Sequence, residues 1–238
     1  MLLFYVRHGD PVYNPDSLTA LGRRQAEAVA HRLARYGVNR IYSSTSVRAQ
    51  ETARPTCEIL KMEPTLLDFC HENHAWADLA LDEAEGRRRW AMDIPKYKRA
   101  FSSPEMLKLG HRWTEHPICE GTRFAQGIDR IARESDAFFA SLGYEHDREN
   151  GVYIPVRPND DRIALFAHQG FGLAFLSCVL DIPYPLVCTR FDMSHTGMTV
   201  IEFQHTEDFC LPRVLTLAND SHLYNDGLPT KYNNRLYF

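Results

Sequence analysis

The chain has 238 residues, six of them cysteines, and no C-x-x-C pair. That absence removes the usual thiol-redox and zinc-ribbon signatures. Cys57, Cys70, Cys119, Cys178, Cys188 and Cys210 read as reduced thiols, several of them buried. No run approaches the about 18 apolar residues of a membrane span. The N-terminus lacks a basic region and a small-residue cleavage site, and "LLFYV" is too short for a signal core. These absences give a cytoplasmic protein with no membrane partner as the expectation. Excess charge of either sign is also missing. The net charge is −4, so there is no general electrostatic case for nucleic acid. Arg87, Arg88 and Arg89 make one local basic patch, which reads as a solvated helix face. His71, Glu72 and His74 cluster, but without H-E-x-x-H or another closed ligand spacing, so no metal site is expected. There are no repeats and no low-complexity tract.

What is present suits a soluble globular protein: 44% hydrophobic and 24% charged residues. The length fits one large α/β domain, or one domain carrying a substantial insertion. Leu2 to Val6 reads as a strand buried on both faces. Gly9, Asp10, Pro11 and Asn14 follow as turn residues. Thr19 is an N-cap candidate for a helix with Leu21, Ala26, Val29, Ala30 and Leu33 on one face, and Gly37 stops it. "RIYSS" at 40–44 reads as a strand. "SVRAQETAR" at 46–54 starts a helix that Pro55 should kink or interrupt. "PTLLDF" suggests a third strand. Residues 73 to about 121 change character and read as a mainly helical insertion. Trp76, Trp90 and Trp113 within it either line a pocket for a ring or sugar or form the insertion's own core, and the core reading is favoured because tryptophans bury large apolar areas. An amphipathic helix resumes over 122–142. "DRIALFAHQG" is again a strand ending at a histidine, "FGLAFLSCVL" a buried helix, and "GMTVIEF" and "RVLTLAND" late strands. The alternation predicts one α/β sheet with helices on both faces.

The chemistry gathers where the strands end. Open α/β sheets bind ligands at the carboxyl ends of their strands. Arg7, His8 and Gly9 sit at one such end, and His168, Gln169 and Gly170 at another. Ser43 and Ser44 end the second strand, with Arg48 one turn into the following helix. Two arginines beside two histidines suit phosphate. Guanidinium forks bind phosphate oxygens in bidentate fashion and stay charged. Neighbouring cations lower an imidazole's pKa, which makes His8 a nucleophile toward phosphorus. Arg7, Arg48 and a protonated His168 would then meet the charge that grows on the transferring group. Such a site needs no metal or cofactor. It does need a proton donor for the leaving alcohol.

The ordered set R-H-G-x4-N, L-T-x-x-G-x-x-Q-A, S-S-x-x-x-R-A-x-x-T-A and H-Q-G resembles the histidine phosphatase superfamily, the phosphoglycerate mutase-like group. The matching residues are Arg7, His8, Gly9 and Asn14; Leu18, Thr19, Gly22, Gln25 and Ala26; Ser43, Ser44, Arg48, Ala49, Thr52 and Ala53; and His168 to Gly170. "NDSHL" at 219–223 is similar to a late motif of the phosphatase branch. The resemblance covers about residues 1–72 and 160–223. It implies a three-layer α/β/α sandwich with a mostly parallel central sheet, in one domain with an insertion at about 73–121. It also implies a phosphohistidine on His8, a phosphate clamp of Arg7 and Arg48, and His168 beside the transferring group. Asn14 and Gln169 stand at substrate-binding positions, although the Gln169 side chain departs from the group's more usual Gly or Asn. The proton donor is usually a Glu opening the insertion. Glu72 fits, 24 residues after Arg48; Asp68 is the alternative.

The expected activity is metal-independent hydrolysis of a small phosphate monoester. A mutase-type phosphoryl transfer and a non-catalytic phosphate sensor are the rival readings. Arg87, Arg88, Arg89, Lys96 and Lys98 could supply the extra basic groups a mutase requires. The tail "GLPTKYNNRLYF" docks on its own chain, covers the site or meets a second subunit, so a homodimer is open.

Overall fold

The structure, a computed structural model, describes residues 1–83, 86–206, 208–234 and 236. The apolar opening run forms β1 (Leu2–Arg7), and a small hairpin follows, β2 (Pro11–Tyr13) and β3 (Asp16–Leu18). α1 (Ala20–Arg35) begins at Thr19, whose hydroxyl accepts from the Gly22 N–H at 3.0 Å. β4 (Arg40–Ser44) leads into α2 (Val47–Leu60), then β5 (Thr65–Leu67). Pro55 does not interrupt α2, which runs on to Leu60. The helix loses one backbone bond there, while Ala53 and Cys57 stay packed on the sheet, and that packing holds it together.

The insertion contributes α3 (Glu72–Leu79), a hairpin of β6 (Ala80–Asp82) and β7 (Arg88–Trp90), α4 (Pro95–Phe101) and α5 (Pro104–Leu109). The arginine run is thus not a helix face. Arg88 and Arg89 lie on a strand, pairing with Asp82 at 2.9 Å and Glu83 at 3.2 Å. Charge pairing across a hairpin explains a run that the helical reading left solvated. The chain continues through α6 (Phe124–Ser141), β8 (Glu145–Asp147), β9 (Val152–Ile154), β10 (Arg162–Ala167), α7 (Gln169–Val179) and α8 (Tyr184–Arg190). It ends in β11 (Met198–His205), β12 (Cys210–Asn219) and α9 (Ser221–Asn225).

The central sheet has eight strands in the order β5-β4-β10-β1-β11-β12-β9-β8. β5, β4, β10 and β1 are parallel neighbours, and this half carries the strand ends singled out above. Across β1, each strand is antiparallel to the one before it, which returns β12 and β8 to the direction of β1. Alternation along β1 feeds two layers. Phe4 and Val6 pack with Val29, Leu33 and Ala53 of α1 and α2, while Leu3 and Tyr5 pack with Phe139, Phe171 and Phe175 of α6 and α7. The result is a three-layer α/β/α sandwich. Phe101, Met106 and Trp113 of the insertion join the second cluster. All six cysteines are free and buried. Among the described residues, no helix is long and apolar enough to cross a membrane.

Candidate active site

Parallel register gathers the site. Arg7 pairs with Ala167 across β1 and β10, and Phe166 with Ser43 across β10 and β4. Arg7, His8, Ser44, Arg48 and His168 therefore leave one edge of the sheet together. The turn after His8 is braced by residues of the sequence motifs. The Gly9 N–H donates to Thr52 Oγ1 at 3.0 Å, and the Asp10 N–H to Gln25 Oε1 at 2.8 Å. Gly22 presses on this turn so closely that a Cβ there would lie 2.2 Å from the Asp10 carbonyl oxygen.

His8 is buried, and its Nδ1 lies 2.8 Å from the Gly9 carbonyl. A carbonyl only accepts, so Nδ1 carries the proton and Nε2 keeps its lone pair. Burial pushes the His8 pKa well below the ordinary imidazole value, and Arg7, His168 and Arg48 push it further. The neutral, nucleophilic tautomer is the resting state of this ring. His168 lies 5.3 Å away between ring centroids. Its Nδ1 faces Arg48 Nη2 at 3.2 Å, and its Nε2 faces Ser44 Oγ at 2.9 Å. A guanidinium only donates, so Nδ1 accepts and Nε2–H donates. Burial and then Arg48 push the His168 pKa well below the ordinary imidazole value.

The two arginines are buried with their terminal nitrogens engaged. Arg48 pairs with Asp16 at 2.8 Å and donates to His168. Arg7 donates to the Met193 carbonyl, to His195 Nε2 at 2.8 Å, and to Asn233 Oδ1. The Nε–H of each arginine is buried without a hydrogen-bond partner among the described residues. Two orphaned guanidinium donors beside a bare imidazole nitrogen suit a phosphate oxygen set.

Glu72 lines the same cavity as His8, Arg7 and Arg48, a space of about 630 Å³. Its oxygens accept from the Gly170 N–H at 3.0 Å and the Phe171 N–H at 3.1 Å, at the N-terminus of α7. Burial raises its pKa against the pull of those two donors and the arginines. Asp68 is elsewhere. Its side chain is 71% exposed, accepting from Thr45 and pairing with His74 at 2.9 Å, and hydrogen bonding to His74 lowers its pKa. Gln169 lines the cavity as expected. Asn14 does not: it is exposed at the tip of the β2–β3 hairpin, while Tyr13 and Asp16 on either side of it reach the cavity. Asn14 lies in the turn that joins the two strands, where its side chain is left to solvent.

His71 and His195 are neighbours that no sequence motif marked, whereas Trp76, Trp90 and the tail each take one of the places left open to them by the sequence. His71 lines the cavity; its Nδ1 accepts from the Asn73 N–H at 3.1 Å, leaving Nε2 as a donor. Trp76 and Trp90 also line it, edge to face at 4.8 Å, so only Trp113 of the three tryptophans is core. His195 stands 5.9 Å from the His8 ring; burial, with Arg7 and Lys231 beside it, pushes its pKa down to about 2. The tail docks on its own chain: Lys231 pairs with Asp10 at 2.7 Å, its carbonyl accepts from the His195 N–H, and Asn233 reaches Arg7. The "NDSHL" segment acts at a distance from the cavity. Asn219 accepts from Arg32 at 2.6 Å, and His222 meets Thr196 at 3.0 Å. The Thr196 N–H in turn donates to the His8 carbonyl at 3.3 Å.

Comparisons with known proteins agree with this geometry. The family model of the histidine phosphatase superfamily (branch 1) matches residues 3–138. A curated relative, PE-PGRS family protein PE_PGRS11 of Mycobacterium tuberculosis, is 36% identical over 86 residues, which take in 32% of this chain and 15% of that protein. The chain thus spans a small part of that relative's length. Among solved structures, phosphoserine phosphatase from Entamoeba histolytica in complex with 3-phosphoglyceric acid is similar, with a TM-score of 0.59 and 18% identity over 93% of this chain and 98% of that one. Mycobacterial glucosyl-3-phosphoglycerate phosphatase with VO3 has a TM-score of 0.59 and 20% identity over 91% and 98%. These two likenesses are of fold.

Proposed function

Because this chain belongs to the histidine phosphatase superfamily, we propose that it hydrolyses a small phosphate monoester through a phosphohistidine on His8. The observation that carries this is the His8 tautomer, with Nδ1 tied to Gly9 and Nε2 bare beside two buried guanidiniums. His8 Nε2 forms a bond to phosphorus while the bond to the ester oxygen breaks. Glu72, in its acid form, gives its proton to the departing alkoxide. Glu72 then takes a proton from a water that attacks phosphorus, the N–P bond breaks, and phosphate leaves with His8 neutral again. Arg7 and Arg48 meet the charge on the equatorial oxygens throughout. A bound phosphate dianion would draw the His168 pKa back up and make it a third donor. The relatives whose fold is shared are phosphatases by name, one for phosphoserine and one for glucosyl-3-phosphoglycerate.

Of the basic residues weighed for a mutase, Arg87, Arg88 and Arg89 are paired with Glu83 and Asp82, while Arg89 and Lys98 line a cavity next to the site, so assay decides between hydrolysis and transfer. The test is phosphate release from p-nitrophenyl phosphate in excess EDTA, by wild type and His8→Ala, with acid-labile phosphate trapped on the protein. EDTA-resistant release that disappears in the variant is expected. Release retained by His8→Ala would sink the assignment. No release at all, with turnover of 3-phosphoglycerate given a bisphosphate primer, would make it a mutase.

A further inference from the structure

A second cavity of about 440 Å³ adjoins the first. Glu72, Trp90, Gln169 and Asn233 line both, and so form the threshold between them. His8, Arg7 and Arg48 belong to the first cavity alone. The threshold is tightly built. A Cβ on Gly170 would lie 2.3 Å from the Trp90 ring and 2.8 Å from Glu72 Oε1. Gln169 Nε2 donates to Asp192 at 2.6 Å, which fixes the carboxamide and leaves Oε1 buried with no partner among the described residues. Beyond it the wall carries Arg89, Asp93, Lys98, Asp192 and Asn234.

Resting on the phosphatase reading, we propose that this second cavity receives the leaving group, and that the leaving group is a sugar-like polyhydroxylated alcohol. Direction comes from Glu72. An acid that protonates the ester oxygen stands where the phosphoryl and alcohol halves meet, so the alcohol extends away from His8 past the threshold. Chemical class comes from the wall. Cations, carboxylates and carboxamides share the wall, so it offers both donors and acceptors, as hydroxyl groups require. Asp93 and Asp192 disfavour an alcohol carrying its own carboxylate. So polar a wall disfavours a lipid or aryl alcohol. The Trp90 indole gives the flat apolar face that a sugar ring's C–H bonds lie against. A volume of about 440 Å³ equals roughly 15 waters at about 30 Å³ each, which leaves room for a hexose with its hydroxyls.

The test is a panel of hexose monophosphates, phosphoserine, 3-phosphoglycerate and p-nitrophenyl phosphate, run on wild type, Asp93→Asn and Lys98→Met. Both altered residues line only the second cavity. Hexose monophosphates should show the highest kcat/KM among the alkyl esters. Each variant should lower that value about tenfold, mainly through KM, while p-nitrophenyl phosphate changes by less than about twofold. A preference for phosphoserine or 3-phosphoglycerate would overturn the class of alcohol. An equal loss on every substrate, or no loss on any, would overturn the subsite. If wild type hydrolyses nothing, the phosphatase reading fails by itself. The subsite is then read from tryptophan fluorescence during titration with glucose 6-phosphate: a saturating change weakened by Asp93→Asn retains it, and identical curves refute it.

Discussion

Glu72→Gln removes both proton transfers assigned to Glu72, and kcat/KM, which ends at formation of the phosphohistidine, isolates the first. The two side chains have nearly the same shape, so substrate access and the arginine geometry are preserved. The proton is lost. General acid catalysis contributes about 10²–10⁴ in rate, or roughly 2.7–5.5 kcal/mol. kcat/KM for alkyl phosphates should fall by that factor. p-Nitrophenyl phosphate leaves as a stable anion and should lose less than about tenfold. Stability moves separately. One end of a carboxamide cannot accept, so either the Gly170 or the Phe171 N–H loses its partner. An unsatisfied donor there costs about 1–3 kcal/mol, a fall of several degrees in Tm at roughly 2–4 °C per kcal/mol. The pH dependence has a definite sign. Burial raises the Glu72 pKa, so the acid form persists above the ordinary carboxyl range. Alkyl ester turnover should decline as pH rises through that raised value, and the decline should vanish in Glu72→Gln. His8 adds no acid limb near its ordinary value, because its pKa is pushed well down. Steady-state phosphate release across pH, with thermal unfolding alongside, reads all of this. Equal losses on alkyl and p-nitrophenyl esters would refute the role of Glu72. A selective alkyl loss in Asp68→Asn would move that role to Asp68.

Three further outcomes are expected. Gly170→Ala puts a methyl group 2.3 Å from the Trp90 ring and 2.8 Å from Glu72 Oε1, so alkyl ester turnover should fall at least about tenfold, with displacement costing about 1–3 kcal/mol; unchanged kinetics would mean the threshold is loose. Asp78, buried between Arg123 at 2.9 Å and Arg130 at 3.3 Å, ties α3 to α6, and Asp78→Ala should cost about 1.5–3 kcal/mol in urea unfolding with m unchanged. His146 is fully enclosed between Asp136 and Asp181, each at 2.9 Å, with Arg148 reaching both carboxylates and Tyr153 stacked on the ring. Burial lowers its pKa, but hydrogen bonds to Asp136 and Asp181 outweigh this and raise it. Its stabilisation is therefore complete below the unfolded imidazole value and lost as pH rises through the folded one, and wild type should gain stability over His146→Gln as pH falls from about 8 toward 6. A pH-independent difference would contradict the charge state.

Reactive groups next to a strand end were legible because two neighbouring residues fix both the strand and its edge. Arg7 with His8, and His168 with Gln169, are such cases, and the motif residues Gln25 and Thr52 prove to be the braces of the first turn. The leaving-group side was not legible. Its wall comes from a hairpin, a loop and the tail, which no periodicity connects. Trp90 reaches the cavity because the arginine run is a strand; read as a helix face, it gives no reason to bring an indole there. His195 and Asn233 meet Arg7 across 188 and 226 residues of chain, and neither sits in a pattern of its own. Asn14 shows the converse, a motif position left to solvent in a hairpin turn.

What holds for His8 extends to His168, since both rings meet the same arginines. Burial and cations act on each in the same direction and push both imidazole pKa values well down. A site built this way carries its positive charge on Arg7 and Arg48, which cannot titrate away. It keeps its nucleophile unprotonated across the physiological range. On the proposed mechanism the second histidine becomes a cation when an incoming dianion reverses the field, and its proton is gained with the substrate, at the stage where it can stabilise transfer without competing for His8.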